Sequence, residues 1–166
     1  MLYTLIGMPG SGKSCMARAI SGKLNMKAVD ADKLIEQNTG KKLIEIIDEF
    51  GIDEFRRIEE ETLVSFSEDN VILATGGSAV YYDRAMKHLK ECGKIIYLYV
   101  SFETMLKRIG DYSKRGIVIR PGQTIKDLYD ERAALYKKYA DITINCDGTA
   151  YTYYRTQVMR AIQKTL

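Results

Sequence analysis

A glycine-rich octapeptide near the start of the chain constrains the fold more than any other stretch. Residues 7–14 read GMPGSGKS, which fits the pattern of a glycine, four residues and then Gly-Lys-Ser or Gly-Lys-Thr. Residues 2–6 before it are short, apolar and β-prone, and residues 15–20 after it are good helix formers. Because this order of strand, loop and helix is the context that the motif requires, we interpret the octapeptide as a phosphate-binding loop rather than as a chance match in a glycine-rich turn.

The loop has the chemistry to hold a nucleoside triphosphate. Its glycines let the backbone adopt positive φ and approach phosphate oxygens, and the N-terminus of the following helix attracts the same anion. Lys13 is expected to reach the β- and γ-phosphates, and the Ser14 hydroxyl to coordinate the Mg²⁺ that accompanies the nucleotide. The predicted ATP-binding residues of this segment are Gly10, Ser11, Gly12, Lys13, Ser14 and Cys15.

Size and composition are those of one ordinary globular domain. The chain has 166 residues, of which 46% are hydrophobic and 28% are charged, so we expect a single domain over residues 1–166. A formal net charge of +3 is too small to argue for nucleic acid or membrane as a partner. No apolar run approaches the ~20 residues of a membrane helix. The charge suits a small anionic substrate, and we expect that substrate, a small hydroxy acid, and ATP as partners of a monomer.

The cysteines and the first residues bear on the cellular compartment. The chain has three widely spaced cysteines, which suggest neither a disulfide framework nor a zinc site. Its first residues are a predicted core strand that leads directly into the glycine-rich loop, so we expect no signal peptide. A reducing cytoplasm is the expected location.

Apolar runs alternate with helical patterns along the rest of the chain. The predicted strands cover residues 2–6, 26–30, 71–74, 95–100 and 142–145. Strands separated by helices predict an α/β fold with three layers, α/β/α, around a five-stranded parallel sheet. Residues 31–67 are predicted to form a substrate-binding helical excursion, and residues 111–123 a mobile lid.

Two aspartates follow directly after the second predicted strand. Asp30 and Asp32 flank a short turn at the carboxyl edge of the sheet, where both can face one cleft. One carboxylate can hold Mg²⁺ through water, and the other can accept a proton from a hydroxyl that attacks the γ-phosphate. We assign the metal role to Asp30 and the role of general base to Asp32. The alternative that one of them only caps the helix that starts near Lys33 stays open.

Arginines and glycines further along the chain are candidates for binding an anionic ligand. Arg56 and Glu59 lie three apart on a predicted helix, where Glu59 could hold Arg56 for a carboxylate ligand, and a surface ion pair is the alternative. Gly76 and Gly77 offer exposed N–H groups and room for a small ligand, although a tight turn explains them as well. Arg132, on a later predicted helix, is unremarkable by itself.

The order of these features resembles the shikimate kinase family, which belongs to the nucleoside-monophosphate-kinase-like P-loop NTPases. The resemblance covers residues 2–145 and rests on GxxGxGKS, DxD, FRxxE, GG, an Arg-Pro lid and RxxLY, in that order. Many NTPases share the first motif, whereas the combination is much more specific. The resemblance implies that fold, a Mg²⁺ cofactor, and conversion of ATP and shikimate to ADP and shikimate 3-phosphate.

The resemblance also implies an acceptor pocket. Arg56 and Arg132 would bind the carboxylate of shikimate, and Asp32 would bind its ring hydroxyls. Gly76 and Gly77 would line the same pocket. These five residues are the predicted substrate-binding set.

The resemblance further implies roles in nucleotide binding and transfer. Arg120 would approach the transferring phosphates from the lid, and Arg108 would lie against the adenine. Taken together with the loop chemistry, the predicted catalytic residues are Lys13, Asp32 and Arg120, and the predicted metal-binding residues are Ser14 and Asp30.

The chain departs from the family pattern at two places. Ser78 stands where the family usually has a third glycine, and the lid reads Arg-Pro-Gly-Gln over residues 120–123 where Arg-Pro-Leu-Leu is usual. Both places concern acceptor selection and closure more than phosphate chemistry. They leave room for a kinase of another small hydroxylated acid, such as gluconate. A regulatory module that binds ATP and transfers nothing is a second alternative, against which the carboxylates and arginines at the strand ends argue.

Overall fold

The computed structural model describes residues 1–112, 117 and 119–166. Five strands form one sheet in which every neighbouring pair is parallel, in the order β2-β3-β1-β4-β5. The strands are β1 (Leu2–Ile6), β2 (Lys27–Asp30), β3 (Val71–Ala74), β4 (Gly93–Tyr99) and β5 (Ile142–Asn145). Helices lie on both sides of this sheet. The predicted fold class, a three-layer P-loop NTPase of the nucleoside-monophosphate-kinase type, is therefore confirmed.

Eight α-helices are found in the described part of the chain. They are α1 (Lys13–Leu24), α2 (Ala31–Thr39), α3 (Leu43–Phe50), α4 (Ile52–Val64), α5 (Asp83–Cys92), α6 (Phe102–Ile109), α7 (Ile125–Tyr139) and α8 (Tyr151–Gln163). A short 3₁₀ helix, Ala79–Tyr81, precedes α5 and was not predicted. Among the described residues, no helix is long and apolar enough to cross a membrane.

The central strands supply the core. Every residue of β1 and β3 is buried, as expected of parallel strands covered on both faces. Strand β1 pairs with β3 on one side and with β4 on the other, so the loop that follows Ile6 leaves from the middle of the sheet. Ligands of open parallel sheets collect at this carboxyl edge. The sheet therefore places the glycine-rich loop beside the residues that follow β2 and β3.

β4 begins earlier than predicted, and α4 ends at a side-chain cap. β4 begins at Gly93 rather than at residue 95, and a Cβ at Gly93 would lie 1.8 Å from the carbonyl oxygen of Leu2. This close approach requires a glycine that reads as a helix stop in the sequence. α4 ends at Val64, because Ser65 turns its hydroxyl onto the carbonyl of Glu61 and caps the helix.

Three helices are inserted between β2 and β3. α2, α3 and α4 pack on one another and bury Ile35, Ile46 and Leu63. Their apolar contacts hold this excursion over the carboxyl edge of the sheet, where α4 presents its inner face to the loop after β3. Of the predicted lid at residues 111–123, residues 113–116 and 118 lie outside the described residues.

Candidate active site

The glycine-rich loop is built for close approach of a ligand to the backbone. Gly10 and Gly12 have φ values of 76° and 88°, in the left-handed region, and Gly12 is the N-cap of α1. A Cβ at Gly10 would lie 3.2 Å from the Cβ of Arg108, whose Nη1 donates a hydrogen bond of 3.2 Å to the carbonyl of Gly10. Arg108 therefore lies against the loop. Cys15, on the first turn of α1, is exposed and has its Sγ 4.0 Å from the hydroxyl of Tyr151.

Lys13 is a buried amine at the centre of this loop. Its Nζ donates to the carbonyls of Gly7 and Met8, at 2.8 and 2.9 Å. Burial lowers the pKa of Lys13 to about 8, nearby Asp32 raises it, and nearby Arg132 lowers it further. The carboxylate and the guanidinium come from two other elements, and both are close enough to act on the charge of Lys13.

Ser14 and Asp30 meet beside the loop. The Ser14 hydroxyl donates a hydrogen bond to Asp30 Oδ2. Asp30 Oδ1 accepts from the backbone N–H groups of Asp32 and Lys33, at 3.0 and 3.3 Å, and caps α2. Asp30 therefore caps α2 with one oxygen, and its other oxygen accepts the hydrogen bond from Ser14.

The Ser14 and Asp30 oxygens are a suitable pair for magnesium. In the described ranges of the chain, no cluster of three or more His, Cys, Asp or Glu side chains could hold a metal ion. Mg²⁺ commonly takes one or two protein oxygens and completes its shell with water and nucleotide phosphates. The donor set fits a metal that arrives with the nucleotide better than a metal held permanently by the protein.

Two carboxylates approach each other behind the loop after β3. A Cβ at Gly76 would lie 2.7 Å from Glu59 Oε1 and 3.3 Å from Asp32 Oδ1, so Gly76 separates the two side chains. Burial raises the pKa of Asp32 to about 6, with further contributions from the negative charges of Glu59 and Asp30. A buried carboxyl group with a pKa near neutrality is suited to proton transfer.

Arg132 lies on the other side of the same loop. Its side chain is buried, and a Cβ at Gly77 would lie 3.0 Å from its Nη1. The guanidinium stands over the ring of Tyr81, 5.4 Å from the centroid, and its Nε has no hydrogen-bond partner among the described residues. Tyr136, one turn further along α7, donates a hydrogen bond of 2.6 Å to the carbonyl of Gly77. A buried cation with an unsatisfied donor is suited to an anionic ligand.

Arg56 is not paired with Glu59, the residue that was expected to hold it. Arg56 has Asp53 as its ion-pair partner, at 4.0 Å, and not Glu59. Glu59 is buried and takes hydrogen bonds from hydroxyl groups instead. Both Arg132 and Arg56 nevertheless lower the pKa of Glu59, which burial raises. Both guanidinium groups are therefore close enough to Glu59 to act on its charge.

Arg120 is paired with a carboxylate of α7. Its Nη2 donates to Glu131 Oε2 at 2.6 Å, and Gln123 donates to the same oxygen at 3.0 Å. The Arg120 side chain is largely exposed. Glu131 could not be identified as the partner from spacing, because residues eleven apart across a loop follow no periodic pattern.

Sequence reasoning also missed the residues that hold Glu59. Ser78 donates to both carboxylate oxygens of Glu59, and Tyr82 donates to Oε2. The only signal in the sequence was that Ser78 departs from the family pattern at the pocket wall.

The fold and this geometry define a class of protein. A phosphate-binding loop at the end of the central strand, with a buried carboxylate and a buried guanidinium beside its lysine, defines a P-loop kinase for a small anionic acceptor. The family model described as "Shikimate kinase" matches residues 9–166. The chain belongs to the shikimate kinase family, and the resemblance found in the sequence is confirmed. Membership makes it an ATP-dependent phosphotransferase that acts on a hydroxyl group.

Individual relatives cover nearly the whole chain. The shikimate kinase of Sulfurihydrogenibium sp. is 32% identical over 161 residues, which are 96% of each chain. The shikimate kinase of Thermodesulfovibrio yellowstonii is 37% identical over 147 residues, 87% of this chain and 84% of the relative.

Solved structures with a similar fold cover nearly the whole chain as well. Shikimate kinase from Acinetobacter baumannii in complex with shikimate has a TM-score of 0.87 at 29% identity, covering 99% of this chain and 93% of that one. A gluconokinase from Sinorhizobium meliloti has a TM-score of 0.56 at 12% identity over 98% of this chain and 95% of that one. The second likeness concerns the fold alone.

Proposed function

We propose that the chain transfers the γ-phosphate of ATP to a hydroxyl group of shikimate and gives shikimate 3-phosphate. The observation that carries this proposal is that Asp32 and Arg132 meet at neighbouring glycines beside the loop. A Cβ at Gly76 would lie 3.3 Å from Asp32 Oδ1, and a Cβ at Gly77 would lie 3.0 Å from Arg132 Nη1 and 3.1 Å from Pro9 of the loop. The γ-phosphate of a triphosphate bound by the loop would lie beside both groups. Asp32 can accept a proton, and Arg132 can bind an acid. Membership of the shikimate kinase family supports shikimate as that acid.

The acceptor binds between α4 and α7 in this proposal. Arg132 and Arg56 hold the carboxylate of the acid, because planar guanidinium groups match carboxylate geometry. Asp32 binds the hydroxyl that reacts. Gly76 and Gly77 form the wall between these groups, where any Cβ would meet Glu59 or Arg132.

Asp32 acts as the general base. Its pKa of about 6 leaves it ionised at neutral pH and still basic enough to take the proton from the attacking hydroxyl. A new bond forms between that hydroxyl oxygen and the γ-phosphorus, the bond to the β-phosphate oxygen breaks, and ADP leaves. Lys13 offsets the charge that accumulates on the transferring group.

Arg120 must exchange its partner to take part in transfer. It leaves Glu131 and moves toward the γ-phosphate when the segment around residues 111–123 closes over both substrates. The cost is small, because an exposed ion pair such as Arg120–Glu131 contributes about 0.2–1 kcal/mol. Arg108, already against Gly10, lies along the nucleotide.

Magnesium accompanies the nucleotide in this proposal. Ser14 and Asp30 would hold it, and when bound it neutralises charge on the β- and γ-phosphates. The expectations of a monomer and of a cytoplasmic location remain predictions.

A panel of acceptors tests the proposal. The purified chain is incubated with ATP, Mg²⁺ and either shikimate or gluconate, ADP release is followed in a coupled assay, and the product is identified by ³¹P NMR. We expect a phosphate monoester of shikimate and no turnover of gluconate above the ATPase background. Turnover of gluconate alone would make the chain a kinase for another acid. ATP binding by calorimetry with no acceptor turned over would make it a regulatory module.

A further inference from the structure

Glu59 is a buried carboxylate whose oxygens accept hydrogen bonds from two hydroxyl groups. Its side chain is 2% exposed. The Ser78 hydroxyl lies 3.1 Å from Oε1 and 3.0 Å from Oε2, and the Tyr82 hydroxyl donates to Oε2 at 2.6 Å. An ionised carboxylate in the interior is costly unless hydrogen bonds replace its hydration. Ser78 and Tyr82 supply part of that replacement, and their hydrogen bonds lower the pKa of Glu59, which burial raises.

Arg56 and Arg132, the two arginines of the proposed acceptor pocket, do not pair with Glu59. Arg56 has Asp53 as its ion-pair partner at 4.0 Å, and 48% of its side chain is exposed. Arg132 stands over Tyr81, with its Nε unpartnered within the described residues. Both arginines are near enough to Glu59 to lower its pKa. A Glu59 without its hydroxyl partners would turn toward these guanidinium groups, because they are the strongest donors within reach.

The three residues form a wall of the pocket. The loop after β3 passes between Glu59 and Arg132, since a Cβ at Gly76 would meet the first and a Cβ at Gly77 the second. Ser78 follows these glycines and returns its hydroxyl to Glu59. Tyr82 follows the short 3₁₀ helix and donates to the same carboxylate. Backbone and hydroxyls together fix the direction in which Glu59 points.

We propose that Ser78 and Tyr82 are positioning residues for acceptor binding. By donating to both oxygens of Glu59, they hold this carboxylate away from Arg132 and Arg56. The guanidinium donors then remain available for the carboxylate of the acceptor. The inference rests on the proposed function, because it takes the two arginines as the groups that bind the acid.

Single hydroxyl deletions test this inference. Tyr82→Phe and Ser78→Ala each remove one donor at nearly constant volume. We expect each to raise the KM for shikimate about five- to tenfold, the change that one hydrogen bond produces, with kcat and the KM for ATP within about twofold of the parent. Ser78→Thr keeps the hydroxyl and should restore a KM close to that of the parent. A purely structural role would not separate the two substrates in this way.

A matched control uses another tyrosine that donates to a carboxylate. Tyr139 donates to Asp83 Oδ1, and the Asp83 side chain is 51% exposed rather than buried against the loop after β3. Tyr139→Phe should leave both KM values unchanged. The inference is overturned if Tyr82→Phe and Ser78→Ala both keep the parental KM for shikimate, or if they change kcat and the KM for ATP equally.

A double mutant separates this inference from the proposed function. In an Arg132→Ala background, Tyr82→Phe should change the KM for shikimate by less than about twofold, because the hydroxyl acts through the guanidinium. An undiminished effect would overturn the positioning role. If Arg132→Ala by itself leaves the KM for shikimate unchanged, the proposed acceptor pocket is wrong instead.

Discussion

The hydroxyl of Ser14 on α1 donates a hydrogen bond to Asp30 Oδ2 at the end of β2. The other oxygen of Asp30 caps α2 through two backbone N–H groups. One carboxylate thus joins the phosphate-binding loop to the first helix of the excursion between β2 and β3. The two functions of Asp30 can be separated by substitution, because an amide caps a helix nearly as well as a carboxylate but is a poorer magnesium ligand.

Asp30→Asn should raise the Mg²⁺ concentration needed for half-maximal activity by about tenfold and leave the melting temperature close to that of the parent. Asp30→Ala should have the same effect on Mg²⁺ and also lower the melting temperature by about 2–4 °C, through loss of the cap. Activity is titrated with Mg²⁺ at fixed ATP, and melting is followed by circular dichroism. Unchanged Mg²⁺ dependence in both variants would remove Asp30 from the metal site.

The buried amine of Lys13 predicts a pH dependence of ATP binding. Burial lowers its pKa to about 8 in the free protein, so the amine loses its charge as the pH rises through that value. The ammonium is the form that binds phosphate. The Kd for ATP should therefore rise about tenfold per pH unit above 8, and Lys13→Arg should bind without this dependence while losing most turnover. The Kd for ATP of both proteins is measured by calorimetry between pH 7 and pH 9, in steps of about one pH unit. A flat Kd in the parent would contradict the assignment.

Ionisation of Asp32 is expected to raise turnover and to lower the stability of the fold. Because its pKa is raised to about 6, its ionised fraction and kcat should fall as the pH drops below that value. A carboxyl group with a raised pKa in the folded state is destabilising when it ionises, so stability falls as the pH rises from the unfolded value toward 6. Asp32→Asn should lower kcat by about 10²–10⁴-fold and raise the melting temperature at pH 7 by about 2 °C or more. Near-normal turnover of Asp32→Asn would refute its role as the base.

The wall of the acceptor pocket predicts a difference between two glycines. A Cβ at Gly76 would lie 2.7 Å from Glu59 Oε1 and 3.3 Å from Asp32 Oδ1, whereas a Cβ at Gly22 in α1 would meet nothing within 4 Å. Gly76→Ala should raise the KM for shikimate by about tenfold or more, since Glu59 and Asp32 must move apart. Gly22→Ala, the control, should keep parental kinetics and gain about 0.5–1 kcal/mol of stability. Parental kinetics of Gly76→Ala would show that this wall does not contact the acceptor.

The sequence was a good guide where local chemistry decides the structure. The loop motif, the aspartates after β2 and the glycines after β3 all lie at strand ends, and parallel strands bring their carboxyl ends to one edge. Thr124 precedes α7, where it and Asp127, three residues later, form a reciprocal cap. In each case the type of residue and its immediate neighbours are enough to explain the local structure.

The arrangement of partners across elements could not be predicted in the same way. Glu59 was expected to support Arg56 three residues before it, but tertiary packing turns it toward Ser78 and Tyr82. Arg120 pairs with Glu131, which lies on a different element. The spacing of residues along one chain gives the face of a helix but not which neighbour will occupy that face.

The central claim is that the acid binds at Arg132, beside the lysine that holds the triphosphate. Binding of shikimate measured by calorimetry, for the parent, Arg132→Ala and Arg84→Ala, tests it most directly. Arg84 is a surface arginine on α5 that pairs with Glu60 and Glu61, and it controls for the loss of one positive charge. We predict that Arg132→Ala weakens shikimate binding by about 10- to 100-fold and leaves the affinity for ATP within about twofold, while Arg84→Ala changes neither. Parental affinity of Arg132→Ala for shikimate, or a loss confined to ATP, would contradict the account.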